Sequence, residues 1–299
     1  MEKGSATVQD WQDGKCSAEC SRYMLEQQIG CDVTFLVGGK RQEVRAHKFI
    51  LISRSPVFEA RFCGPLAETQ AAIPIPDIEP ETFQLLLRYM YYDADNLDTD
   101  SLRVLYAAKK YCVSKLAKIC RDDLSKMINT ENACQLLQQA HTLDEPPLVQ
   151  TCLSFVLSNG EVCLKSEGLG TLSRECFKQV IEADDLMADE ITVWDALIKW
   201  AHAACKRQQE DVTTATLREA LGDMLYSVRL SGISADDFAK HVSASGVLSK
   251  DEVISIFNFY HGACKETDGI LYEDWATLSP VSEMLPLSVG VSSPRLKSN

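Results

Sequence analysis

The chain of 299 residues carries 43 acidic and 30 basic side chains, a net charge of −13, and 45% of its residues are apolar. That is enough apolar material for two ordinary packed domains, and it offers no basic surplus to displace counterions from a phosphate backbone, which argues against nucleic acid as a direct partner. The opening Met1-Glu2-Lys3-Gly4-Ser5-Ala6-Thr7 has no apolar leader core, and no apolar run approaches the roughly 18 residues of a membrane span. A soluble protein of the cytoplasm or nucleus is expected.

The 12 cysteines are scattered. Many fall on apolar helix faces (Cys112, Cys120, Cys134, Cys152) rather than at the close spacings of a secreted disulfide framework, so buried, reduced thiols are expected. Residues 1–19 are polar around an isolated Trp11 and are expected to be flexible. Cys20 to Ile29 has helical spacing through Tyr23, Met24 and Ile29. Asp32-Val33-Thr34-Phe35-Leu36-Val37 and Gln42-Glu43-Val44-Arg45 favour strands, and Gly38-Gly39 between them supplies the positive φ of a tight hairpin turn. His47 to Ile52 is apolar enough to be buried. Ser55-Pro56 then starts a helix, with serine as N-cap and proline at the first position where no N–H is needed. That helix is expected to turn Val57, Phe58 and Phe62 inward and to end at Gly64 in a left-handed conformation, with Pro65 blocking its continuation.

Ala71 to Ile75 reads as a third strand, at an edge because Pro74 cannot donate to a ladder. Pro80 opens a helix with Phe83, Leu86, Leu87 and Met90 on one face, and Asp93 to Asp98 is turn chemistry. Two further amphipathic helices follow, one from about Thr99 through Leu102, Leu105 and Ala108, the other from Ser114 through Leu116, Ile119, Leu124 and Met127. Beyond Asn129 the strand signal fades. Ala133, Leu136, Leu137 and Ala140 mark one helix. Pro146-Pro147 restarts another through Leu148, Cys152, Phe155 and Val156, which Ser158-Asn159-Gly160 interrupts. A short helix carries Phe177, Val180 and Ile181, and a longer one Val193, Trp194, Leu197, Trp200 and Ala204. Ser234–Asp237 and Ser249–Glu252 have the spacing of capping boxes. From Lys265 the periodicity stops in a Ser/Pro-rich tail.

Asp32-Val33, Arg45-Ala46-His47-Lys48, Leu51, Ser55-Pro56-Val57-Phe58, Phe62, Leu66-Ala67-Glu68, Ile73-Pro74-Ile75, Tyr89-Met90-Tyr91 and Leu105 to Tyr111 together resemble the BTB/POZ domain. Asn132-Ala133-Cys134, Asp185-Leu186, Glu190 and Val193 to Trp200, followed by Cys205-Lys206-Arg207, resemble the BACK domain. The resemblance implies a flexible N-terminus over 1–19, an α+β BTB/POZ domain over 20–128, an all-α BACK domain over 129–264 and an irregular tail over 265–299. It is nearest to the adaptors of cullin-3 ubiquitin ligases that end in a PHR β-sandwich. The stretch after Lys265 is too short for that sandwich. The expectation is that substrate binds the BACK helices or the tail, or that this is a shortened form that pairs with a fuller partner.

In such adaptors a hydrophobic-x-Glu motif after the third helix contacts the cullin. Here it is Leu66-Ala67-Glu68, with Phe62 one turn away. Read from the residues alone, Leu66 packs under the loop and Glu68 is solvated; the resemblance instead implies that Phe62, Leu66 and Glu68 bind cullin-3. It likewise implies a homodimer through Tyr23, Met24, Leu25 and Ile29, whereas the helix taken alone packs on its own domain. An unidentified protein substrate completes the expected partners, and neither a cofactor nor a membrane is among them. The competing function is a BTB-BACK scaffold or transcriptional co-regulator that binds no cullin.

An enzyme is the least supported class. His47 follows a strand but has no nucleophile at a recognisable elbow, so a buried, hydrogen-bonded histidine is expected. Asp32 reads either as a catalytic acid or, more simply, as a carboxylate tied to backbone or to a basic side chain. Cys16-x3-Cys20 and His261-x2-Cys264 lack a second pair at zinc spacing, and Gly168-Leu169-Gly170 follows no strand and lacks the third glycine of a dinucleotide loop. Trp194 and Trp200 are expected in the core, and Lys109-Lys110 and Lys206-Arg207 on solvated faces.

Overall fold

The computed structural model describes residues 10–65, 67–68, 70–94 and 101–261. The chain divides into two compact units, Met1–Met127 and Ile128–Asn299.

In the first unit, helix α1 (Ser17–Glu26) leads to strands β1 (Val33–Val37) and β2 (Gln42–Ala46). These pair antiparallel, with Val33 opposite Ala46 and Val37 opposite Gln42. The turn spans Gly38 to Arg41 and closes through an Arg41 N–H to Gly38 O bond of 3.0 Å. Its positive φ values sit at Gly38 (72°) and Arg41 (53°), not at both glycines, so the turn is longer than a Gly-Gly reading implies. Strand β3 (Ile73–Ile75) runs parallel to β1 on the other side, giving the order β2-β1-β3. Pro74 therefore stands at an edge as expected. Ile75 turns its carbonyl to Gly38 N–H (2.8 Å), so the intervening Pro74 faces away from β1.

Helices α2 (Lys48–Arg54), α3 (Pro56–Cys63), α4 (Pro80–Tyr92), α5 (Ser101–Lys110) and α6 (Ser114–Lys126) surround this sheet. The His47–Ile52 stretch is the start of a helix rather than a buried run. Only His47 and Leu51 are buried, and Phe49 is 78% exposed, because a helix of this length presents one residue per turn to the core. Ser55 caps α3 as its sequence predicts, accepting Phe58 N–H at 3.3 Å and donating its hydroxyl to Tyr111 O at 2.6 Å. Phe58 is fully buried; Val57 and Phe62 are half-buried.

Gly64 has φ −72° and ψ 170°, not a left-handed conformation. Glycine fits there for another reason: a Cβ would stand 2.3 Å from Ala60 O. On α4, Phe83, Leu86, Leu87 and Met90 are all buried. The helix stops at Asp93, which takes φ 53° and pairs with Arg54; the rest of the expected turn, residues 95–98, lies outside the described residues, as does Thr99. On α5 and α6 the expected Leu105, Ala108, Leu116 and Leu124 are buried, and the faces differ from the sequence reading at their edges. Leu102 and Ile119 are half-buried and Met127 is 61% exposed, while Val104, Ala117 and Cys120 take the core.

The regular elements described in the second unit are all helical: α7 (Ala133–Thr142), α8 (Pro146–Ser158), α9 (Gly160–Cys163), α10 (Arg174–Ile181), α11 (Glu190–Gln208), α12 (Thr214–Leu221), α13 (Ala235–Asp237) and α14 (Lys250–Tyr260), joined by loops and short 3-10 turns. Ala133, Leu136, Leu137 and Ala140 are buried, as are Leu148, Cys152 and Val156. Trp194 and Trp200 are core residues. Trp200 stacks on Phe177 with centroids 5.4 Å apart and donates its indole N–H to Leu172 O at 2.8 Å. Arg207 is not simply solvated: its guanidinium lies over the Trp200 ring and donates to Gly170 O. Ser249 and Glu252 form the expected capping box. Ser234 forms half of one: its hydroxyl accepts the Asp237 N–H at 3.1 Å and donates to the Asp237 carboxylate at 2.7 Å, so that carboxylate turns to the serine side chain. The helix that follows is only three residues long and widens into a π turn over Phe238–Val242.

Cys120, Cys134, Cys152, Cys163, Cys176 and Cys205 are buried thiols, and burial pushes Cys152 and Cys163 up to about 12. Cys112 departs from expectation: it is exposed, at φ 54° just past α5.

Candidate functional site

Two neighbourhoods of the first unit hold the residues singled out in the sequence. The first is the C-terminal end of α3. Three rings lie nearly parallel there: Tyr111 on Phe58 with centroids 4.4 Å apart and Phe58 on Phe62 at 5.8 Å, each pair within 6°. Phe62 is the outermost ring. Its flank is half-exposed, and the Lys48 ammonium lies 5.3 Å from its centroid, a cation against the negative π face. Phe58, by contrast, is locked in the core by Phe35 and Tyr111, so Phe62 rests on a rigid base.

Past Gly64 the chain turns back on the helix it has just left. Ala67 N–H bonds Gly64 O at 3.0 Å, and Glu68 N–H bonds Arg61 O at 2.8 Å. The Glu68 carboxylate is held on both sides: Oε1 accepts Gln70 N–H at 3.1 Å, and Oε2 lies 3.5 Å from the Arg61 guanidinium. Phe62 and Glu68 thus stand on one folded-back turn. Leu66, the remaining member of the predicted cullin contact, lies outside the described residues. Arg61 and Lys48 are the residues that sequence reading misses here. Arg61 meets Glu68 only because the chain reverses between them, and no spacing rule signals that.

The second neighbourhood is α1. Tyr23, Met24 and Leu25 are half-buried, Ile29 is exposed, and no residue of α1 is fully buried, so this helix keeps apolar surface uncovered. Trp11 is not isolated: it stacks on Tyr23 with centroids 4.8 Å apart, and the Lys15 ammonium stands 4.6 Å from the Tyr23 ring. Ile29 is fixed by its backbone. Its N–H bonds Met24 O at 3.0 Å, and its carbonyl accepts His47 Nε2–H at 2.7 Å.

His47 is the hydrogen-bonded structural histidine expected. The Tyr91 hydroxyl accepts the His47 backbone N–H and donates to Nδ1, both at 2.7 Å, so the two partners select the Nε2–H tautomer. Burial raises the Tyr91 phenol well above its ordinary range, which keeps it a donor. Asp32 is tied to backbone: Oδ1 accepts Lys48 N–H at 2.7 Å and so satisfies a free donor at the start of α2. Neither group addresses a nucleophile. Among the described residues no three His, Cys, Asp or Glu side chains gather as metal ligands do, and Cys264 lies outside those residues. No described helix is long and apolar enough to cross a membrane.

Comparison with known proteins agrees with this geometry. Residues 22–128 match the BTB/POZ domain, and residues 133–243 match the family described as BTB And C-terminal Kelch, or BACK. The chain is 39% identical over 250 residues to BTB/POZ domain-containing protein 6 of Mus musculus, a match that covers 83% of this chain and 46% of that protein. It is 38% identical over 250 residues to BTB/POZ domain-containing protein 3 of Homo sapiens, covering 83% of this chain and 48% of that one. The chain therefore spans about half the length of the curated relatives it matches. A small α+β unit followed by a helical one, each matched by its own family model, makes this chain a member of the BTB/POZ–BACK family.

Proposed function

We propose that the chain is a substrate adaptor of a cullin-3 ubiquitin ligase. The observation that carries the reading is the folded-back turn after α3, where a half-exposed Phe62 on a rigid aromatic base stands beside a Glu68 carboxylate held in place. An apolar anchor beside a fixed acceptor is suited to a partner that buries one residue and donates to the other. Cullin-3 is that partner, with Phe62, Leu66 and Glu68 as its contacts. A second copy of the chain pairs through Tyr23, Met24, Leu25 and Ile29, and the support is the uncovered apolar surface of α1. The helical second unit presents substrate. Val162 and Met187, both exposed, lie on segments joined by the Glu161 N–H to Met187 O bond and offer an apolar surface for it. The contribution to ubiquitin transfer is proximity, which raises the effective concentration of substrate at a charged ligase. The adaptor works in the cytoplasm or nucleus.

The test is binding between purified cullin-3 and the full chain. The parent is expected to bind, and the Leu66→Asp, Glu68→Lys double variant to lose binding. Unaltered binding by that variant removes the site. No binding by the parent removes the adaptor reading in favour of a BTB–BACK scaffold or co-regulator that uses no cullin.

A further inference from the structure

We propose that Arg61 is a positioning residue for that docking turn: it fixes the Glu68 carboxylate in the one orientation a partner reads. The inference rests on the docking reading above and goes beyond it. Three contacts converge on Glu68, and two of them come from Arg61. The Arg61 carbonyl accepts the Glu68 N–H at 2.8 Å, which fixes where the residue begins, and the Arg61 guanidinium stands 3.5 Å from Oε2, which fixes where it ends. Gln70 N–H takes Oε1 at 3.1 Å. A free glutamate samples many rotamers; this one is held at both oxygens.

A carboxylate has about four lone-pair sites, and two are used here, so acceptor capacity remains for a donor arriving from outside. The side chains of Arg61 and Glu68 are 29% and 20% exposed, so the pair is accessible at the surface while much of its area is covered. Such a pair contributes little to folding. Its larger effect falls on binding, because a partner then meets an ordered acceptor and does not have to immobilise it. Arg61 sits in the last turn of α3, one residue before Phe62, so the apolar anchor and the orientation of the acceptor are set from the same turn of helix.

Calorimetric binding of purified cullin-3 to the full chain tests this with five proteins: the parent, Glu68→Gln, Arg61→Met, Arg61→Lys, and the Arg61→Met, Glu68→Gln double variant. Methionine keeps the aliphatic stem of arginine and removes the charge. Glu68→Gln is expected to weaken binding about tenfold and Arg61→Met about threefold, the second effect being the rotamer freedom returned to Glu68. The double variant is expected to bind no more weakly than Glu68→Gln alone, since Arg61 acts only through the carboxylate. Arg61→Lys is expected to recover part of the loss. An equal loss from Arg61→Met in both backgrounds overturns the proposal and makes Arg61 either a direct contact or a general support of the turn. Tighter binding by Arg61→Met also overturns it, since Arg61 is then a competitor for Glu68. No change on Glu68→Gln overturns the docking role of Glu68 itself, and the positioning role falls with it.

Discussion

His47 and Tyr91 show how much one buried hydroxyl can hold. The Tyr91 oxygen serves the His47 backbone N–H and its Nδ1 at once, while Nε2–H reaches the end of α1 at Ile29. Removing the hydroxyl leaves two buried polar groups of His47 without a partner, and each such loss costs about 1–3 kcal/mol. Tyr91→Phe, which keeps the ring and its packing, is therefore expected to destabilise the first unit by about 2–3 kcal/mol, read as a lowered urea midpoint. A loss below about 0.5 kcal/mol shows that water replaces the hydroxyl. The same residues illustrate what a sequence conveys. The His47 environment and Asp32's backbone tie are foreseeable because a polar side chain beside apolar strands must find a partner. Which partner it finds, 44 positions along the chain, is a property of the packed fold alone.

At the level of elements, helix starts and the centres of helix faces are legible, and the edges of those faces are not. Serine-proline at α3 and the capping box at α14 act within four residues of chain, so local rules reach them. The edges of the α5 and α6 faces depend on neighbours: Ala117 and Cys120 suit tight contacts better than the larger Ile119 and Met127, and hydrophobicity alone ranks them the other way. Gly64 is a glycine for close approach to Ala60 O, a cause that resembles a left-handed cap when only the letters are seen.

The α14 box also does more than cap. Glu252 receives Ser249 N–H at 2.6 Å and both Arg218 nitrogens at 2.8 Å, joining α14 to α12. Burial alone would raise its pKa, but the Arg218 guanidinium and the Ser249 donors outweigh burial and lower it. A lowered folded-state pKa means the contact stabilises above the ordinary carboxyl value of 4.5 and is lost as pH falls below it. Glu252→Gln is expected to cost the second unit about 2–3 kcal/mol at neutral pH, against about 1 kcal/mol for Ser249→Ala, and to flatten the acid limb of the stability curve. Equal costs for the two variants in denaturant titrations refute the tie between α14 and α12.

For the molecule as a whole, a dimer through α1 has a thermodynamic signature that needs no partner. Association stabilises the folded state by mass action, so the Tm of the first unit is expected to rise with protein concentration. Tyr23→Ala with Met24→Asp is expected to abolish the rise. A concentration-independent Tm in the parent, alongside a monomeric sedimentation profile, removes the dimer. The two-unit organisation is legible from the loss of strand signal past Asn129, because composition changes over many residues are robust to local error. The folded-back turn after α3 is only half legible. Its Phe62 and Glu68 belong to a recognisable pattern, while Arg61 and Lys48 join them through a chain reversal and a helix pairing that no short window contains.

The outward-facing Pro74 bears on how such a chain survives at high concentration. Open strand edges are where folded proteins nucleate intermolecular sheets and fibrils. The outer rim of β3 presents a ring nitrogen with no hydrogen to give, so a strand from another molecule gains one acceptor and no donor. Growth of the sheet is disfavoured on that side, so a contact made there has to be carried by side chains rather than by a strand ladder.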